Sequence, residues 1–390
     1  MTAPTGTSRP TKLPFTESHE IFRASARRFF ETECAPMQRD WEREGCAPRV
    51  IWKRAGELGF LCPGVPEEYG GLGADFLYRF ILVEEQARAG VIVPALSQHS
   101  DRVASLISAF GMNAQRKTLL PRMVSGDMLG VLAIAERNSA AALRTLETVA
   151  KRDGDGYVIT GTKHFVMGGH GADLVIVAAQ TEAGISLFVV ELAKVAGVEK
   201  GPLIKKVGSA GLDCIDIRFE TTRLPASSLL GGEEGRGAAQ IKAHGKEERL
   251  LAAAASIAAL DRAIDMTIAY VKDRRAFKQR ILDFQNTRFK LAEAKTEATV
   301  LRIFLERCVR NFLNGTLSEA DAAMLAYSAA DRQFAIVDDC VQLHGGYGYI
   351  LDFAIARMWV DGRLDKILGC TGDAVSAIVG EDADALRERA

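Results

Sequence analysis

The chain has 390 residues, more than one hydrophobic core usually serves, so two or three domains are expected. Its 49 basic and 50 acidic side chains nearly cancel, which leaves no global field to attract nucleic acid or an anionic membrane. Seven scattered cysteines, odd in number and without a C-x-x-C pair, fit reduced thiols of a cytoplasmic protein and argue against a disulfide framework or a zinc site.

The opening MTAPTGTSRPTK is polar, carries prolines and lacks an apolar core segment, so residues 1–13 read as a loose tail and not as a secretory leader. No uninterrupted apolar run reaches membrane-spanning length, so no membrane insertion is expected. Over 14–130 apolar residues recur three or four apart in SHEIFRASARRFFETE, PRVIWKRAGELGF, FLYRFILVEEQARAG and HSDRVASLISAFG, which predicts a helical domain. The proline- and glycine-rich CPGVPEEYGGLGADF interrupts it as a loop.

Near Val131 the period changes to two. GYVITGTKHFVM, ADLVIVAA, GISLFVVEL and CIDIRFETTRL are short, rich in β-branched residues and bounded by Gly or Asp, with a hairpin signal at Asp153-Gly154-Asp155-Gly156. A β domain is therefore expected over 131–238, left through the glycines of LPASSLLGGEEGRG. Helical periodicity returns over 239–390 in three long stretches, which predicts an antiparallel bundle. The order of helices, strands and bundle places the chain in the α+β class.

HGKEERLLAAAAS, His244 to Ser256, sets two adjacent carboxylates in front of an apolar helix. One reading makes both first-turn charges opposing the helix dipole. The other carries one of them into an apolar interior as a general base.

Four separated motifs resemble the acyl-CoA dehydrogenase family in order and spacing. RRAFKQRILDFQNTRFKLAE (274–293) is similar to the pattern R-x-x-F-G-x-x-I-x-x-F-Q-x-x-x-x-x-L-A, and QLHGGYGYILDFAIARMWVD (342–361) to Q-x-x-G-G-x-G-Y; VPEEYGGLG (65–73) and LPASSLLGGEEGRG (224–237) complete the set. The resemblance implies an N-terminal helical domain, a middle β-barrel and a C-terminal four-helix bundle, assembled as a homotetramer or homodimer. It further implies FAD as cofactor, acyl-CoA as substrate, α,β-dehydrogenation of the acyl thioester as the reaction, and an electron-transfer flavoprotein or another acceptor as partner. By the same resemblance Arg274, Phe277 and Gln285 contact the FAD of a neighbouring subunit, while Gln342, Gly345 and Gly346 lie under the ADP end of the cofactor.

The family's late Glu-Gly-Thr motif falls on Gly369, Cys370 and Thr371, so the usual catalytic glutamate is a glycine here. The chain resembles instead the isovaleryl-CoA and long-chain branch, whose base stands on a bundle helix in a sequence ending Glu-Arg-Leu. That assigns Glu248 as the base, Arg249 as its supporting, substrate-side cation and Glu247 as a helix-start charge. Gly369 is expected to leave room for the Glu248 side chain and to offer its N–H to the thioester carbonyl. Thr371, Glu136, Phe165 and Met167 match cofactor-side positions, and Ala141 a substrate-side one.

Departures from the family pattern cluster in the middle domain. The T-E-P-x-A-G-S-D segment reads Ala135-Glu136-Arg137-Asn138-Ser139-Ala140-Ala141-Ala142, and W-I-T reads Phe165-Val166-Met167, losing hydroxyl donors; Lys278 replaces a glycine and Val360 an arginine. These losses open three alternatives: an acyl-carrier-protein thioester as substrate, an enoyl thioester reductase, or an accessory, non-catalytic subunit of a heteromeric enzyme. His99 and His164, lacking a placed partner in the sequence, read as structural or surface histidines.

Overall fold

The change of hydrophobic period near residue 130 is realised in the structure, a computed structural model that describes residues 13–139 and 146–369. Before it come α1 (Glu17–Phe29), α2 (Gln38–Glu44), α3 (Arg49–Glu57), α4 (Phe76–Ala89), α5 (Ser105–Phe110) and α6 (Asn113–Val124). Helix α4 starts at Asp75, whose carboxylate accepts the Leu77 N–H at 2.8 Å, and stops at Gly90 in the left-handed conformation. The stretch from Phe80 to Glu85 is buried all round, so α4 runs through the interior of its domain and carries Arg79 with it. CPGVPEEYGGLGADF is a loop, as expected, with one 3-10 turn at Glu67–Tyr69.

A π-helical turn, Gln98–Ala104, leads directly into α5. The wider turn rotates consecutive side chains differently from an α-helix, and His99, Ser100 and Asp101 are all buried. His99 joins two elements: its Nε2 lies 3.0 Å from the Met123 carbonyl and its Nδ1 accepts the Gly130 N–H at 3.1 Å. Burial pushes its pKa down to about 4, which keeps the ring neutral and in one tautomer. The structural reading of His99 is the one this geometry supports.

The strands are β1 (Gly130–Ala133), β2 (Val149–Asp153), β3 (Gly156–Met167), β4 (Leu174–Thr181), β5 (Gly184–Glu191), β6 (Val198–Lys200) and β7 (Cys214–Pro225). Strands β2 and β3 form the hairpin signalled by Asp153-Gly154-Asp155-Gly156, and β3 pairs antiparallel with β7 from Gly156 opposite Pro225 to Met167 opposite Cys214. Strand β4 takes β1 in parallel on one side and β5 antiparallel on the other, and its residues Leu174 to Ala179 are buried on both faces, as their unbroken apolar run requires. Val175, Val177, Phe188, Ile215, Ile217 and Phe219 fill the interior of the curved sheet. Among the described residues β5 and β6 do not pair with each other, which leaves the sheet open, so the barrel expected from the sequence takes the form of a half-barrel.

After α7 (Gly237–Ala243) come α8 (Gly245–Asp273), the two-stranded hairpin of β8 (Arg275–Ala276) and β9 (Gln279–Arg280), α9 (Gln285–Leu313), α10 (Glu319–His344) and α11 (Ala354–Gly369). The chain divides into two compact units, residues 25–248 and residues 249–369 with 13–24, so the division falls in the first turn of α8. In the second unit Arg302 of α9 pairs with Asp261 of α8, Lys290 of α9 with Asp339 of α10, and Lys366 of α11 with Asp331 of α10. Alanines 253, 254, 258 and 263 on α8 and 322, 323, 329 and 330 on α10 are buried, and their small side chains let helices approach closely. Among the described residues no helix is long and apolar enough to cross a membrane.

Candidate active site

In the second unit, α8 ends at Asp273 and the chain turns back through the β8–β9 hairpin, whose tip is Phe277-Lys278. Both tip residues have positive φ, 51° and 67°, the backbone of a two-residue turn that twists with its strands. Phe277 stands 90 % exposed at that tip. At the other side of the hollow α10 is closed by Gly345, with φ 60° and ψ −138°, a conformation side chains other than hydrogen scarcely reach. A Cβ built on Gly345 or Gly346 meets nothing within 4 Å, so both present bare backbone to open space.

Arg274, Phe277, Gln342, Gly345, Gly346 and Tyr347 thus line one hollow of about 900 Å³. The Arg274 guanidinium lies 5.3 Å from the centre of the Tyr347 ring, and Tyr270 stacks on His344 at 4.2 Å while its hydroxyl donates to the His344 carbonyl. Gln285 opens α9 next to Asn286, which also lines the hollow. A glycine pair that lets a ligand approach the backbone closely, one guanidinium and aromatic faces suit a ligand with a diphosphate and planar rings. These residues fit FAD. Thr371 and Ala141 lie outside the described residues.

Of the middle-domain positions, Phe165 is arranged by one carboxylate. A register shift in β3 between Lys163 and Val166 puts Phe165 at φ 55° with its ring 64 % exposed, and Asp216 of β7 fastens the distortion by accepting the Phe165 N–H at 3.1 Å and holding His164 Nδ1 at 2.9 Å. Met167 ends the strand opposite Cys214. Glu136 is engaged within the domain: its carboxylate accepts from Lys163 Nζ at 2.6 Å, from the Thr148 N–H at 3.0 Å and from the Glu147 N–H. Burial disfavours its charge, yet these hydrogen bonds hold its carboxyl below the usual range. Glu136 and Lys163 together fasten the chain around residue 148 to β3.

The two carboxylates of HGKEERLL separate cleanly. Glu247 receives a hydrogen bond from Arg79 Nη1 at 3.0 Å and lies 3.5 Å from His244 Nδ1. Burial raises its pKa, but the bonds to His244 and Arg79 outweigh that and hold it down to about 2. It therefore does more than face the helix dipole; it is locked into a buried charge cluster with Arg79 and Asp101. Glu248 has a looser setting, its carboxylate half-buried and 3.4 Å from an Arg102 guanidinium that is itself nearly half exposed. Arg249, expected beside Glu248, donates to Glu319 of α10 at 2.8 Å. The expected room at Gly369 is not open: a Cβ there would sit 2.6 Å from the Cβ of Ala330, so α10 fills that direction.

Three comparisons agree with this geometry. The chain matches the family models for the acyl-CoA dehydrogenase N-terminal domain over residues 16–127, the middle domain over 131–222 and the C-terminal domain over 235–383. The chain belongs to the acyl-CoA dehydrogenase family. Within it, the chain is 37 % identical to the mitochondrial long-chain specific acyl-CoA dehydrogenase of Sus scrofa, covering 94 % of this chain and 87 % of that protein. It is 30 % identical to a 3-(aryl)acrylate reductase of Clostridium sporogenes over 94 % of this chain and 99 % of that one. A crystal structure of acyl-CoA dehydrogenase from Geobacillus kaustophilus, 35 % identical, superposes with a TM-score of 0.91 over 95 % and 99 % of the two chains.

Sequence reasoning in this acyl-CoA dehydrogenase missed Arg79, Asp101 and Arg102. A signal for them existed: Arg79 interrupts the otherwise apolar FLYRFILV, and Asp101-Arg102 follows a histidine that is buried. What could not be read was that these residues meet the first turn of α8, more than 140 positions later.

Proposed function

We propose that Glu248 is the base with which this chain removes the α-proton of an acyl-CoA thioester during FAD-dependent α,β-dehydrogenation. Membership of the family makes the chain an acyl-CoA dehydrogenase-type flavoprotein oxidoreductase. When bound, FAD supplies the hydride acceptor. The similarity to a long-chain acyl-CoA dehydrogenase supports CoA, in place of an acyl carrier protein, as the acyl carrier.

The observation that carries the assignment is the division of labour between the two neighbouring carboxylates. Glu247 is engaged by Arg79 and held at about 2, a value too low for a useful base. The Glu248 carboxylate lies 3.4 Å from Arg102, a distance longer than a good hydrogen bond. Its oxygens therefore retain lone pairs to accept a proton, while Arg102 stands close enough to orient the carboxylate. A glutamate side chain delivered from a helix start reaches an α-carbon as well as one delivered from a loop, since only the final position of the oxygen matters.

Replacement of Glu248 by Gln tests this. The variant is expected to keep bound flavin and to lose thioester-driven flavin bleaching by about 10²–10⁴-fold, the usual worth of a positioned base. Full bleaching rate in Glu248→Gln overturns the assignment. A homo-oligomer belongs to the same proposal, supported by Phe277 and Tyr349, which stand 90 % and 86 % exposed on the second unit and suit cover by a second copy. Sedimentation of the yellow protein as a monomer would contradict it.

A further inference from the structure

We propose that the cavity beside Glu248 recognises a hydroxyl group on the acyl chain, so that this enzyme prefers hydroxylated acyl thioesters over plain aliphatic ones. The inference rests on the reading of Glu248 as the base, which places the reacting carbon near this cavity.

Two pairs of consecutive residues face one another. Arg102 meets Glu248 at 3.4 Å, and the residue before each, Asp101 and Glu247, meets Arg79, at 3.7 Å and 3.0 Å. Between them and α5 lies a cavity of about 200 Å³, lined by Arg79, Ser100, Asp101, Ser105, Ser108 and Glu247 among others. Glu247 and Asp101, the chain neighbours of the proposed base and of Arg102, both line that cavity.

The cavity wall is unsuited to hydrocarbon. The Asp101 side chain is 93 % buried by its 7 % exposure, yet its Oδ1 accepts no hydrogen bond, Arg79 being too distant to give one. Arg79 Nε and His244 Nε2 are likewise buried without a partner. A methyl end packed here leaves a donor and an acceptor unsatisfied, and each such loss weakens binding by about tenfold. A carboxylate end would meet Asp101 and Glu247, and an ammonium end, which has donors but no acceptor, would leave Arg79 Nε–H without a partner. A hydroxyl is neutral and does both jobs: its O–H donates to Asp101 Oδ1 while its oxygen accepts from Arg79 Nε–H. Burial pushes Asp101 up to about 6, against the pull of Arg79 and Ser97, so the carboxylate is ionised and a strong acceptor near neutral pH.

The test uses the flavin-loaded enzyme and a single chain length. Calorimetric titration compares octanoyl-CoA, octanoyl-CoA hydroxylated at successive carbons, and the dicarboxylic suberoyl-CoA. At least one hydroxylated form is expected to bind about tenfold more tightly than octanoyl-CoA, and suberoyl-CoA more weakly than both. Asp101→Ala and, as a variant that fills the space without touching the charge cluster, Ser108→Leu should each bring the hydroxyl-to-plain ratio to within about twofold of unity. Equal or better binding of octanoyl-CoA by the unaltered enzyme, or a preference that survives in both variants, overturns the proposal. Because the ratio is read from heat of binding, it is decided separately from the base: bleaching that persists in Glu248→Gln defeats the base assignment whatever the ratio shows.

Discussion

The hollow at the end of α10 and the cavity at the start of α8 are built from opposite materials. The first is made of backbone and surface groups: two glycines whose missing side chains open the space, a hairpin tip and an exposed arginine. The second is made of buried charged side chains, with Arg79 placed between Asp101 and Glu247. A backbone surface costs the fold little and binds through shape and close approach. A buried charge cluster ties ligand recognition to the stability of the domain, because each charge is tolerated only while its partner is present.

The same substitution made in both regions is the sharpest way to break this comparison. Arg79→Met leaves Asp101 and Glu247 without their shared cation in the interior and is expected to lower unfolding free energy by about 3–5 kcal/mol. Arg274→Met removes an exposed guanidinium and should leave stability within about 0.5 kcal/mol while weakening flavin retention. Urea titration and flavin absorbance per protein measure the two effects. Equal destabilisation by both would erase the distinction.

Acid separates the regions next. The carboxyl of Glu247 is held from its ordinary 4.5 down to about 2, so it contributes stability above the unfolded value that is lost as pH falls through the folded one, worth about 3 kcal/mol. Asp101 has the opposite sign: raised from 3.8 to about 6, it contributes stability that is fully present below 3.8 and lost as pH rises through 6. Acidification from 7 should therefore first strengthen the fold, between about 6 and 4, and then weaken it towards 2. Urea midpoints measured along that range should lose the first limb in Asp101→Asn and the second in Glu247→Gln.

The difference in construction also explains what the sequence disclosed. The hollow is formed by two short motifs, and the glycine pair, Gln342 and Arg274 converge because the end of α10 and the turn after α8 are each local in sequence. The half-barrel announced itself through strict changes of period at residue 131 and in the unbroken apolar β4. The cavity had no such announcement, since residues 79, 101 and 247 lie on three elements, 244 in the turn between α7 and α8, and the four carry no common spacing. Local helix patterning could not tell Glu247 from Glu248, which only the family resemblance separated: neighbours in a helix point about 100° apart, and the positions of Arg79 and Arg102 decide which is locked. Arg249 illustrates the same point, since its partner Glu319 begins a helix 70 positions later.

Gly369 shows how a glycine can be misread from sequence. The absence of a side chain suggested room, but the space is the contact surface of α10, with Ala330 Cβ 2.6 Å from where a Cβ would lie. Restoring the family's usual residue by Gly369→Glu should therefore force α11 away from α10 and cost about 1–3 kcal/mol through overpacking. Thermal unfolding checks this, and a variant as stable as the parent would show that α11 has slack that the packing does not display.

The smallest effect tests the backbone side of the comparison. Lys278 occupies the hairpin tip at φ 67°, where the related pattern carries glycine. A side chain in the left-handed region costs roughly 1–2 kcal/mol from contact between Cβ and the following carbonyl. Lys278→Gly removes that cost, although the freer unfolded chain takes back about 0.5–1 kcal/mol. The net gain expected is about 0.5 kcal/mol, seen as a small rise in the urea midpoint with flavin absorbance unchanged, because the shape of the tip is already the one glycine adopts. A loss of stability would mean that the Lys278 side chain makes a compensating contact in the assembled protein, and the hairpin would then join the cavity as a region held by its side chains.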